Sequence, residues 1–145
     1  MTSAPFTGVG VALVTLFDDD GDLDAAATAE HAARLVELGV RAVVVAGSTG
    51  EAASLSPEER VELLAAVRAA LHPSAGVPVI AGTGAPSARQ AVALTAAACE
   101  HGADAVLALS PPGAADPGPY YDAVAKAAGA TPVLAYHWPA LSPPG

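Results

Sequence analysis

From residue 8 onward, short runs rich in Val and Ile alternate with longer Ala, Leu, Glu and Arg segments at helical spacing, and this repetition constrains the fold more than any other feature. Strands separated by helices are parallel strands, because a parallel return needs a crossover long enough to hold a helix. Residues 9–17, 41–46, 77–81, 105–109 and 132–136 read as five strands. The first helix starts near Asp24, after the polar turn Asp18-Asp19-Asp20-Gly21-Asp22, and stops at Gly39. Ser56-Pro57-Glu58-Glu59 opens the second helix with a Ser cap, a Pro in the first turn and a Glu to complete a capping box. Ser87-Ala88-Arg89-Gln90 offers another such box, for a helix reaching about His101 before the stop at Gly102. A loop rich in Pro and Gly at 110–119 precedes a short helix at 120–128.

Strands such as Ala42-Val43-Val44-Val45-Ala46 are apolar throughout and must be covered on both faces. A (β/α)8 barrel of roughly 250 residues allots roughly 30 to each unit. The 145 residues then hold about the first five strands of an incomplete TIM barrel, with 1–145 the N-terminal part of one barrel domain, cut after strand five. A five-stranded, flavodoxin-like doubly wound sheet of about this length is the alternative. In the barrel reading, strands one and five are apolar edges that invite self-association.

Hydrophobic residues make up 52% of the chain and aromatic ones 4%, which suits aliphatic strands under tightly packed helices. A formal charge of -9 repels phosphate backbones and anionic lipid, so nucleic acid and membrane surfaces are excluded as partners. The single Cys99 has no internal disulfide partner and sits in an apolar stretch, as a reduced thiol in a cytoplasmic protein does. Residues 1–7 lack a basic segment followed by an apolar run, and no later apolar run reaches about 18 residues.

Gly47-Ser48-Thr49-Gly50-Glu51 follows strand two directly and so lies at its carboxyl end, where α/β folds place their ligands. The glycines allow backbone N–H groups to converge and the hydroxyls add donors, which makes a small site for a carboxylate or phosphate. A plain turn with Ser48 or Thr49 as a helix cap is the other reading of the same residues. Strand five ends in Tyr136-His137-Trp138-Pro139, at the same end of a parallel sheet. A phenol there can relay a proton through a hydroxyl from strand two, or the aromatics can simply plug the barrel. No His, Asp or Glu cluster has metal spacing, and the Asp18 to Asp22 run lacks the later Glu of a calcium loop. Thr83, between Gly82 and Gly84 at the end of strand three, could hydrogen-bond a ligand, and a plain turn with tight packing is the other reading.

Val11-Ala12-Leu13-Val14-Thr15, Gly47-Ser48-Thr49-Gly50-Glu51, Ile80-Ala81-Gly82-Thr83-Gly84 and Tyr136-His137-Trp138-Pro139, in that order, resemble the dihydrodipicolinate synthase and N-acetylneuraminate lyase superfamily of class I aldolases. The resemblance implies that Ser48 and Thr49 hold the carboxylate of pyruvate or a related 2-oxo acid, with Ser48 hydrogen-bonded to the Tyr136 phenol. Tyr136 would be the catalytic acid/base. A lysine on the following strand would form a Schiff base whose iminium is the electron sink for making or breaking a C–C bond, without a separate cofactor. The resemblance also implies a homo-oligomeric parent.

Three departures stand out. The sequence stops at Gly145, before strand six, so the Schiff-base lysine is expected beyond this chain and the chain alone is expected to be inactive. Lys126, its only lysine, falls in an outer helix. The loop after strand four reads Ser110-Pro111-Pro112-Gly113 where synthases carry a Tyr pair, with Tyr120 and Tyr121 as later packing aromatics. No Arg follows Tyr136 in Pro139-Ala140-Leu141-Ser142-Pro143-Pro144-Gly145. The last two departures favour a sister aldolase, acting on sugar acids, sialic acid or a 4-hydroxy-2-oxo acid, over a lysine-biosynthetic synthase.

Overall fold

The computed structural model describes residues 4–140. Five strands run in the order β1 (Gly10–Ala12), β2 (Ala42–Val45), β3 (Val79–Gly82), β4 (Ala105–Leu109) and β5 (Val133–Tyr136). Every neighbouring pair is parallel, with Val43 opposite Val79, Ala81 opposite Val106 and Leu109 opposite Tyr136. The helices between them are α1 (Ala25–Glu37), α2 (Pro57–Ala70), α3 (Ala88–Glu100) and α4 (Gly118–Ala128), with short 3-10 turns at Ala52–Ser54 and Pro73–Ala75.

The sheet order is β1-β2-β3-β4-β5. A doubly wound, flavodoxin-like sheet needs 2-1-3-4-5, because the chain must reverse direction to place helices on both faces. Here each crossover moves one strand further the same way, so, with the usual single hand of such connections, the helices gather on one side and the sheet curves around the other. The result is an α/β arc, the first five strands of an incomplete TIM barrel, and the doubly wound alternative is overturned.

Strand alternation sorts the apolar residues into two layers. Val43, Val45, Val79, Ala81 and Val106 face the helices and pack with Leu63, Leu64 and Val67 of α2. Ala42, Ile80 and Ala105 face the concave side, where Phe6 covers them. Further up the concave side Val44, Leu107 and Leu134 are only half-buried. The concave floor is therefore closed and its upper end open.

Helix starts follow their local signals. Asp24 caps α1 by accepting from the Ala27 N–H at 2.8 Å. Ser56 and Glu59 form the full reciprocal capping box of α2. At α3 the box is incomplete: Ser87 accepts from the Gln90 N–H, but the Gln90 side chain takes the Ser87 hydroxyl as its donor at 2.8 Å instead of the backbone N–H. A shared hydroxyl satisfies both side chains, so the amide has no need to reach back.

The first strand is shorter than its apolar run. Leu13 N–H still reaches the Val44 carbonyl at 2.9 Å, but the Leu16 N–H donates to Thr28 Oγ1 on α1, and Phe17 pairs antiparallel with Leu23 to close the Asp turn. The segment past Ala12 is thus held by α1 and the β2 turn without a ladder, with Leu13 buried and Val14 and Leu16 exposed. In the turn itself, Asp18 Oδ1 accepts from the Asp20 and Asp22 N–H groups, the ordinary use of Asp in a solvated turn. At the opposite end, Asp104 Oδ2 accepts from Val79 N–H at 2.8 Å and pairs with Arg68 at 2.6 Å, tying α2 to the strand starts.

Candidate functional site

The carboxyl ends of β2 to β5 surround a cleft of about 710 Å³, lined among others by Ser48, Arg60, Gly82, Ser110, Tyr136 and Trp138. Ser48 and Tyr136, expected from the sequence to share a pocket, both border it. Thr49 is exposed on the same turn as Ser48 but is not among the residues that line the cleft. Among the described residues no hydrogen bond joins Ser48 to the Tyr136 phenol, and Tyr136 is 40% exposed. Leu141 to Gly145, part of the stretch without Arg, lie outside the described residues.

The turn after β2 is held from three sides. Thr15, 5% exposed, donates its hydroxyl to the Gly50 carbonyl at 2.7 Å. Arg60 of α2 donates through one terminal nitrogen to the Ala52 carbonyl at 2.5 Å and through the other to the Gly82 carbonyl at 3.4 Å. From below, Gly82 lies so close that a Cβ there would sit 2.0 Å from the Ala46 carbonyl oxygen. Any side chain at 82 would push the turn out of place. A Cβ at Gly50 would likewise meet the Leu13 carbonyl at 2.8 Å.

These contacts revise the reason for the glycines. The left-handed backbone at this turn falls on Ala46 (φ 52) and Glu51 (φ 54), not on Gly47 or Gly50. Non-glycine residues in this region cost about 1–2 kcal/mol each. The cost is sustained because Thr15, Arg60 and Gly82 over-determine the turn, and Gly50 is there for close approach.

Two of these residues had a signal in the sequence that its motifs did not use. Thr15 is a hydroxyl inside an aliphatic run. Arg60 sits on the buried stripe of α2, in helical register with Leu63, Leu64 and Val67, where a cation needs partners. Burial also pushes the Arg60 guanidinium below its ordinary pKa.

The end of β5 is tied through its backbone. The Tyr136 carbonyl accepts from the Ser110 N–H at 2.8 Å and from the Tyr121 phenol at 3.1 Å. Tyr121 also meets Ser110 Oγ at 2.8 Å. Tyr120 is buried in edge-to-face contact with Tyr121, its hydroxyl accepting from Ala85 N–H at 3.2 Å, and burial raises its pKa. Both tyrosines pack the structure, as expected from their place at a helix start. Lys126 is exposed on α4, whose buried face is Tyr120, Val124 and Ala128. Cys99 is a partly buried free thiol. Among the described residues no group of three or more His, Cys, Asp or Glu side chains is placed to hold a metal, and no helix is long and apolar enough to cross a membrane.

The model of the dihydrodipicolinate synthetase family matches residues 5–143. The chain belongs to that family. It is 41% identical over 143 residues to a 4-hydroxy-tetrahydrodipicolinate synthase of Prochlorococcus marinus, covering 96% of this chain and 47% of the relative. A probable mitochondrial 4-hydroxy-2-oxoglutarate aldolase of Emericella nidulans is also 41% identical, over 93% of this chain and 46% of its own. A prophage protein of the dihydrodipicolinic acid synthase family from E. coli K12, solved in complex with pyruvate, superposes with a TM-score of 0.85 at 32% identity, covering 96% of this chain and 47% of that one. The chain spans about half the length of the curated relatives it matches.

Proposed function

We propose that residues 1–145 are the pyruvate-binding part of a class I aldolase or lyase, the opening portion of one barrel domain in a cytoplasmic homo-oligomer. Ser48 and Thr49 bind the carboxylate of pyruvate or a related 2-oxo acid. Tyr136 moves the proton as a Schiff base forms and breaks, and the lysine that forms it comes from outside these residues. The observation that carries this reading is the shared cleft: Ser48 at the end of β2 and Tyr136 at the end of β5 border one cavity large enough for a small 2-oxo acid and its partner. The pyruvate complex of the E. coli family member supports the choice of ligand.

The chemistry divides between the two ends of the arc. At β2 the turn is preformed, so a carboxylate meets hydroxyl and N–H donors already in place. At β5 the Tyr136 phenol is exposed and its backbone anchored, which leaves the hydroxyl free to exchange a proton with a bound intermediate. The absence of an Arg after Tyr136 and the Ser110-Pro111-Pro112 loop favour a partner aldehyde other than that of the lysine-biosynthetic synthase.

The test is borohydride reduction of the full-length protein in the presence of pyruvate, followed by mass spectrometry. A covalent pyruvyl adduct on a lysine, with Tyr136→Phe retaining pyruvate binding but losing at least tenfold in turnover, is the expected result. Pyruvate binding without an adduct would reduce the protein to a carboxylate-binding module, and unchanged turnover in Tyr136→Phe would remove the proton-transfer role.

A further inference from the structure

Two buried polar atoms near the β2 turn have no hydrogen-bond partner among the described residues: Arg60 Nε and Thr83 Oγ1. Both residues line one small cavity of about 20 Å³ between α2, α3 and the ends of β2 and β3, whose other walls include Val45, Leu64 and Leu94. Thr83 is 1% exposed. Its backbone N–H donates to the Leu107 carbonyl at 2.9 Å, which fixes the backbone that carries the side chain. The two terminal nitrogens of Arg60 are likewise committed, to Ala52 and Gly82, which fixes the direction of its Nε–H.

A water molecule needs roughly 10–15 Å³ and at least two polar partners. This cavity offers that room, one donor and one hydroxyl that can donate or accept. A carboxylate or phosphate is too large for it. We propose that one ordered water occupies the cavity, accepting from Arg60 Nε–H and hydrogen-bonded to Thr83 Oγ1.

The water completes the guanidinium: Ala52 on one arm, Gly82 on the second and, through the water, Thr83 on the third. The turn that carries Ser48 and Thr49 is thereby joined to the last residues of β3 by a polar network rather than by one pair of hydrogen bonds. The inference stands on the two unpartnered atoms and the cavity, whatever ligand the larger cleft takes.

Thr95 supplies the internal comparison. Its Oγ1 is also buried without a partner among the described residues, but Thr95 is not among the residues that line the cavity. Removing a hydroxyl that has no partner stabilises a protein or leaves it unchanged, whereas removing one that holds a water destabilises it. The test combines a crystal structure at a resolution that shows ordered solvent with melting curves of the full-length protein, Thr83→Val and Thr95→Val. Expected are solvent density within hydrogen-bond distance of both Arg60 Nε and Thr83 Oγ1, and a melting temperature about 2–4 °C lower in Thr83→Val than in Thr95→Val. A cavity without density, a direct Arg60–Thr83 hydrogen bond, or a Thr83→Val protein at least as stable as Thr95→Val would each overturn it.

Discussion

The turn after β2 and the end of β5 face the same cleft, yet they are held in different ways. The β2 turn is clamped by Thr15, Arg60 and the bare backbone of Gly82, and it carries two strained residues, Ala46 and Glu51. The end of β5 is tied by its pairing with β4 and, at the Tyr136 carbonyl, by Ser110 and Tyr121, while Tyr136 and Trp138 are 40% and 42% exposed. Their strands differ in the same sense: β3, beneath the β2 turn, is buried along its whole length, whereas Ala135 and Tyr136 of β5 are exposed. A group that binds a ligand by donated hydrogen bonds gains from being fixed beforehand, since ordering it on binding would weaken affinity. A group that moves a proton needs its hydroxyl free and only its backbone fixed.

The largest expected effect tests the clamp from below. Gly82→Ala places a methyl 2.0 Å from the Ala46 carbonyl, so the turn must move; a loss of about 3 kcal/mol in unfolding free energy is expected, together with loss of pyruvate binding. Chemical denaturation and calorimetry measure both, and a stable Gly82→Ala protein with intact binding would show that the turn is not built on that glycine. Arg60→Met keeps an apolar stem but removes the guanidinium donor to the Ala52 and Gly82 carbonyls, of which Ala52 still accepts from Leu55 N–H, for an expected loss of about 2 kcal/mol. Hydrogen exchange sharpens this one, because the added exposure should appear at Glu51 and Ala52 and leave the Ser110 amide protected.

A smaller effect, about 1.5 kcal/mol, is expected for Thr15→Val, which strands the buried Gly50 carbonyl. At the other end of the cleft, Tyr121→Phe removes one of the donors to the Tyr136 carbonyl while the Ser110 N–H remains, so about 0.5–1 kcal/mol is expected. If Tyr121→Phe proved as costly as Arg60→Met, the contrast between a clamped turn and a lightly tied strand end would fail.

Much of this architecture is legible in local signals. Asp24, the Ser56–Glu59 box and Ser87 start their helices where their side chains can satisfy free N–H groups, a requirement met within a few residues. β4 spans the residues its apolar run marks, 105–109, because it is sealed between α3, α4 and the concave layer. The run at 9–17 misleads for a complementary reason: an aliphatic residue does not by itself mark a ladder, and here Leu13 is buried beyond the end of β1 while Val9, Val14 and Leu16 are exposed. In the cleft, the motif around Ser48 and the aromatic end of β5 are visible as sequence, since polar and aromatic residues at strand ends mark where ligands meet the backbone.

What the sequence determined by itself is the repeat of strand and helix, the helix starts, the need to cover the apolar strands on both faces, and a resemblance to the dihydrodipicolinate synthetase family carried by ordered motifs. Only the tertiary structure decided between an arc and a doubly wound sheet, because both satisfy the same alternation and differ solely in the direction of the crossovers. It alone also assigned the clamp of Thr15, Arg60 and Gly82, whose members lie 35 residues apart in one contact and 22 in another. Hydrogen bonds and steric limits of that range depend on where the strands come to rest, and no local propensity encodes them.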